Sequence, residues 1–94
     1  MGQIKRLVLD VLKPLNPTIL SLAETLTNVK GITAVTCTIE EVDRETETVK
    51  VIIEGNDIVF ASVEKTIVDS GSVIRSIDSV TIGKKHHEEK QVVK

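Results

Sequence analysis

Val35-Thr36-Cys37-Thr38-Ile39-Glu40 and Val49-Lys50-Val51-Ile52-Ile53-Glu54 decide the fold. In both stretches apolar residues recur at every second position, the period of a strand with one buried side. Asp43-Arg44-Glu45-Thr46 between them is polar and short enough for a hairpin turn, without the Asn-Gly pair of the tightest type. Two antiparallel neighbours are therefore predicted, one from Ile32 to about Val42 and one from about Thr48 to Glu54.

Upstream, Asn16-Pro17 is a helix start, and Ile19, Leu22, Ala23, Leu26 and Val29 follow at helical spacing. Gly31 is the natural stop, so the spacing predicts a helix over 17–29. Ile4 to Leu12 precedes it as a β-branched strand that Pro14 ends. Downstream, Asn56 or Asp57 is expected to cap a second helix with Phe60, Val63, Ile67 and Val68 on its buried stripe, closed by Ser70-Gly71. The last strand runs from Ser72 to about Ile82. Its apolar residues Ile74, Ile77 and Val80 stand three apart, which predicts a β-bulge or a change of face. Residues 84–94 form a charged, flexible tail, leaving 1–83 as the domain.

The order β-α-β-β-α-β, with two right-handed crossovers, specifies an α+β fold. It is the ferredoxin-like βαββαβ split sandwich: a four-stranded antiparallel sheet with two helices on one face, strands one and three central. Leu7, Leu9, Val11, Val35, Cys37, Ile39, Val49, Val51 and Ile53 are expected under the helices. The open face should then carry Arg6, Val8, Asp10, Leu12, Thr36, Thr38, Glu40, Val42, Thr48, Lys50, Ile52 and Glu54. Val8, Leu12, Val42 and Ile52 would make an apolar patch there, the mark of a contact surface, so self-association is expected through this face or an adjoining strand edge. Asp10, Glu54 and Asp78, with Glu40, are candidate ligands for a hard cation such as Ca²⁺ or Mg²⁺. Arg6, Lys50 and Arg75 lie among them as candidate ion-pair partners.

Composition excludes several functions. The chain has 94 residues, 12 Lys and Arg against 14 Asp and Glu, one Phe, and neither Tyr nor Trp. A nearly balanced charge argues against counterion-release binding to nucleic acid, and a sheet without aromatics cannot stack bases. The lone Cys37 fits a reducing cytoplasm. No run of apolar residues is long enough to span a membrane, and the first 20 residues, with Asp10, Lys13 and two prolines, do not read as a secretory signal.

Chemistry is equally sparse. The loop after the first strand, Lys13-Pro14-Leu15-Asn16-Pro17, has neither the Cys-x-x-Cys of a metal chaperone nor an anion cradle with Arg. Cys37 reads as a small core residue. Asp43, Glu45 and Glu47 lack the loop and glycine of an EF-hand and read as a solvated turn. His86-His87, followed by Glu88-Glu89, could ligate a transition metal but lacks the spacing of a rigid site. No nucleophile has a base beside it in any recognisable pattern, so no catalytic residue is assigned and no enzyme is expected.

Leu7-Val8-Leu9-Asp10-Val11-Leu12-Lys13-Pro14, Glu45-Thr46-Glu47, Ile53-Glu54-Gly55-Asn56-Asp57 and Ile74-Arg75-Ser76-Ile77-Asp78, in this order over residues 4–83, resemble the archaeal domain-of-unknown-function family 211. The resemblance implies a small ferredoxin-like protein that assembles into larger homo-oligomers and has no assigned reaction, and it implies an archaeal source. Two positions depart from the family: Arg75 stands where His is usual and Ser79 where an acidic residue is usual. These departures replace a titratable group with a permanent cation and remove a carboxylate.

Two readings follow. In the first, the chain is a small cytoplasmic homo-oligomer that partners itself and neither nucleic acid nor membrane, a non-enzymatic assembly or regulatory module needing no cofactor; a ligand cleft between subunits is one form it could take. In the second it is a regulator binding Ca²⁺, Mg²⁺ or a small metabolite through the sheet carboxylates.

Overall fold

A computed structural model describes residues 2–84; the expected tail with His86-His87 lies outside the described residues. The elements are β1 (Gln3–Pro14), α1 (Ile19–Thr27), β2 (Ile32–Val42), β3 (Thr46–Gly55), α2 (Phe60–Asp69) and β4 (Val73–Gly83). The strands form one antiparallel sheet in the order β2-β3-β1-β4. This is the expected α+β ferredoxin-like topology, with β1 and β3 central.

The core follows strand parity. Leu7, Leu9 and Val11 of β1 lie opposite Ile53, Val51 and Val49 of β3, and all six are buried. Leu22 and Leu26 of α1 and Val63 and Ile67 of α2 close over them. Val35 and Cys37 of β2 pack at the margin of this cluster, whereas Ile39, expected in the core, is 39% exposed near the end of its strand. Val68, assigned to the buried stripe of α2, is exposed.

Helix starts differ from the sequence reading. Thr18, not Asn16, caps α1 by accepting a hydrogen bond from the Ser21 amide at 3.2 Å. Asn16-Pro17 forms a cis peptide bond in the loop before it. At α2 the N-cap position is Val59, without a side-chain cap, while Asp57 takes a left-handed conformation in the preceding turn (φ 53°).

Bulges set the faces of the two edge strands. Along β4, Ile74, Ile77 and Val80 lie opposite Val11, Leu9 and Leu7, with register shifts between. Arg75 and Asp78 are the extra residues. Each bulge adds one position, so a spacing of three in β4 matches a spacing of two in β1, and all three apolar residues take the helix side. A further shift lies between Ile39 and Glu41 of β2, leaving Glu40 unmatched. Val42 consequently lies opposite Glu47, itself opposite Lys13, on the helix side. Its expected place on the open face is thus corrected: one inserted residue reverses the alternation beyond it.

Candidate functional site

The open face is organised in rows. Arg6 lies opposite Glu54, Val8 opposite Ile52, Asp10 opposite Lys50 and Leu12 opposite Thr48. Charged and apolar rows alternate. Val8 is only 8% exposed although no helix covers it, and Leu12 and Ile52 are half-buried. The rows flanking Val8 and Ile52 carry long charged side chains whose stems shield apolar neighbours. Of the four expected apolar contact residues, then, three share the open face with reduced exposure. Val42 alone is largely exposed, and it faces the other way.

The face's carboxylates each meet a cation. Arg75 Nη2 stands 3.3 Å from Asp10 Oδ2 and also donates to Thr48 Oγ1 at 3.2 Å. Lys50 Nζ lies 3.8 Å from Glu40 and 4.0 Å from Asp78. Arg6 Nε lies 3.7 Å from Glu54. Ser76 Oγ donates to Asp78 Oδ1 at 2.7 Å. Asp10, Glu54 and Asp78 are therefore distributed among three separate cations rather than gathered at one point. Among the described residues, no three His, Cys, Asp or Glu side chains come together as a metal-holding group.

Lys13 is the charged residue that sequence reasoning missed. Its side chain is fully buried. Nζ donates to the carbonyls of Pro14 (2.7 Å), Leu15 (3.3 Å) and Pro17 (2.6 Å). Glu47 Oε1 stands 2.7 Å away as the counter-charge, while the three carbonyls already match the three donors of an ammonium. The turn residue Glu47, expected to be solvated, is instead the counter-charge of a buried lysine that pins the β1–α1 loop. Parity held the signal: 13 continues the series 7, 9, 11, and 47 continues 53, 51, 49.

Gly55 anchors another corner. A side chain there would run into the carbonyl of Gly31, and the Asn56 amide donates to that carbonyl at 2.8 Å. Asn56 Oδ1 also accepts from Lys5 Nζ at 3.1 Å, and the Ile58 amide donates to Ile4 O at 3.1 Å. The stretch Ile53 to Asp57 therefore ties the helix–strand turn at Gly31 to the end of β3.

Cys37 is half-buried, and burial pushes its thiol above the ordinary range, opposed by the charge of Lys13. That environment makes it a poor nucleophile. Between the helices, Pro17, Thr25, Thr66, Asp69 and Ser70 line an open cleft of about 350 Å³. The hydroxyls of Thr25, Thr66 and Ser70 donate to the carbonyls of Ser21, Ser62 and Ile67.

Among the described residues, the edge strand β4 carries several exposed apolar side chains. Ile77, Val80 and Ile82 are 50%, 49% and 56% exposed. Ile77 and Val80 lie opposite Leu9 and Leu7, on the helix side. Among the described residues β4 pairs with β1 alone, so its other main-chain edge is open. No helix among the described residues is long and apolar enough to cross a membrane.

The model of the DUF211 family, described as "Uncharacterized ArCR", matches residues 5–94. An uncharacterized protein of Methanocaldococcus jannaschii, MJ0319, is 47% identical over 89 residues, covering 95% of this chain and 92% of the relative. The family match runs from Lys5 in β1 through both helices to the bulged β4 and takes in the buried Lys13–Glu47 pair, and on that match the chain belongs to the DUF211 family.

Proposed function

We propose that this chain is a non-enzymatic assembly module, a small cytoplasmic protein of archaeal source whose principal partner is another copy of itself. The supporting observation is β4: a long edge strand with half-exposed Ile77, Val80 and Ile82 on its helix side and, among the described residues, an unpaired backbone edge. Such an edge is a template for pairing with another chain. The contact is thereby moved from the sheet face, where Val8 is already covered, to the strand edge. Cytoplasmic residence rests on the single cysteine, and an archaeal source on the organism of the relative.

The metal-binding alternative has less support, because its carboxylates Asp10, Glu54 and Asp78 each face a cation of the same chain. Native mass spectrometry of the full chain tests the proposal. An intact species of two or more 10.3 kDa chains is expected, and a protein that stays single at micromolar concentration would refute it.

A further inference from the structure

We propose that the cleft between α1 and α2 binds a small primary ammonium compound, a ligand function separate from any contact between chains. Its walls are Pro17, Thr25, Thr66, Asp69 and Ser70. Its volume of about 350 Å³ falls at the small end of the roughly 300–1,000 Å³ of small-molecule sites.

The donors and acceptors of the walls select the ligand. Pro17 has no amide proton. The amides of Thr25, Thr66 and Asp69 lie inside helices, committed to the preceding turn. The Ser70 amide donates to Thr66 O at 3.2 Å and to Ile67 O at 3.1 Å. A hydroxyl has one proton to give. Thr25 donates its own to Ser21 O at 2.9 Å, Thr66 to Ser62 O at 2.9 Å and Ser70 to Ile67 O at 2.6 Å. Every proton these residues could donate is therefore committed within the chain. What they still offer is lone pairs, on three hydroxyl oxygens and the Asp69 carboxylate. A fitting ligand must bring its own donors and a positive charge.

Asp69 is the last residue of α2 and Ser70 its C-cap, so the negative end of that helix dipole adds to the field of the carboxylate. The threonine methyls and the Pro17 ring suit a short aliphatic stem. A free amino acid fits badly, because its carboxylate would meet no donor.

One cation of the chain already competes. Lys65 Nζ lies 2.8 Å from Asp69 Oδ2, with side chains 77% and 62% exposed. An exposed pair of this kind contributes little, so a ligand ammonium can take the carboxylate from it. The opposite wall is fixed from inside the molecule, since Pro17 O accepts from the buried Lys13 Nζ at 2.6 Å. A wall held before the ligand arrives lowers the ordering cost of binding.

Titration of the isotope-labelled full chain, followed by amide NMR shifts, tests the site with three probes: butylammonium, tetramethylammonium and butyrate. Butylammonium should give saturable shifts centred on Thr25, Thr66, Asp69 and Ser70. Tetramethylammonium, equal in charge but without N–H donors, should bind several-fold more weakly, and butyrate should not bind. Asp69→Asn should weaken butylammonium binding roughly tenfold or more, as loss of a hydrogen bond to a charged group does. Lys65→Met should strengthen it by freeing the carboxylate. Both side chains are exposed, and unchanged amide spectra away from the cleft verify that the variants keep the fold. No saturable shift in the cleft, tetramethylammonium binding as well as butylammonium, an Asp69→Asn chain that binds like the wild type or a Lys65→Met chain that binds no more tightly would each overturn the proposal. None of these outcomes bears on self-association.

Discussion

Lys13 Nζ and Glu47 Oε1 stand 2.7 Å apart on directly opposed positions of β1 and β3, at the end of the buried stripe. A charge pair thus continues the apolar series of the core, and its ammonium holds three loop carbonyls in place. Removing one partner of such a pair is strongly unfavourable. Lys13→Met should cost about 3 kcal/mol of stability, with a fall in melting temperature on the order of 15 °C for a domain of this size. Urea unfolding of the variant measures the loss. Adding Glu47→Leu should restore part of it by removing the orphaned carboxylate; a single variant within experimental error of wild type would show that the clasp contributes nothing.

Gly55→Ala should destabilise by about 1–3 kcal/mol, the usual cost of overpacking, because the new methyl meets the rigid Gly31 carbonyl and the Ile32 backbone. At Gly83 the same change meets only the flexible Lys5 side chain at 3.4 Å and should be nearly neutral. Thermal melts of the two variants side by side give the comparison. Equal losses would mean that the approach of β3 to the Gly31 turn is not what requires glycine at 55.

Cys37 supplies a pH dependence. Burial favours its neutral thiol, so the native pKa lies above the unfolded one of roughly 8.5. With the native pKa raised, the folded state holds the proton longer. Stability from this group is complete below the unfolded pKa and declines as pH rises through the native value. Alkylation of the native protein should accordingly be slower than that of the urea-unfolded chain, its rate rising at higher pH. Equal rates in the two states would place the thiol in water.

The ion pairs of the open face are solvent-exposed, and exposed pairs contribute little. Arg6→Ala, which frees Glu54, should change stability by under about 1 kcal/mol. Calorimetry with Ca²⁺ and Mg²⁺ on the wild-type chain should give no stoichiometric binding heat, since the carboxylates are dispersed among Arg6, Lys50 and Arg75. A saturable heat abolished by Asp10→Asn would favour the metal-binding alternative.

Most of the fold was legible because its strands keep strict parity: Leu7, Leu9 and Val11, with Val49, Val51 and Ile53, mark the core without ambiguity. The three-residue spacing of Ile74, Ile77 and Val80 likewise foretold the bulges of β4. The bulge at Glu40 left a fainter trace: Ile39 and Val42 also stand three apart, but that single step falls at the end of the strand with no apolar residue beyond it to show the new parity, and Val42 was misplaced for that reason. The start of α1 was misread because Asn16-Pro17 and Thr18 both carry capping chemistry, and only the loop pinned by Lys13 selects Thr18. Burial of Val8 without a covering helix depends on long neighbouring side chains, which strand pattern does not encode. Strand parity puts Asp10 and Glu54 on the same face as Arg6 and Lys50, yet which cation each carboxylate meets depends on the sheet's register.

Self-association through β4 is tested most directly by sedimentation equilibrium of the wild-type chain and Ile77→Lys together at micromolar concentration. The wild type should sediment as two or more 10.3 kDa chains and the variant at a smaller mass with an unchanged circular dichroism spectrum. A wild type that sediments as a single chain, or a folded Ile77→Lys variant that keeps the native mass, would contradict assembly through the β4 edge.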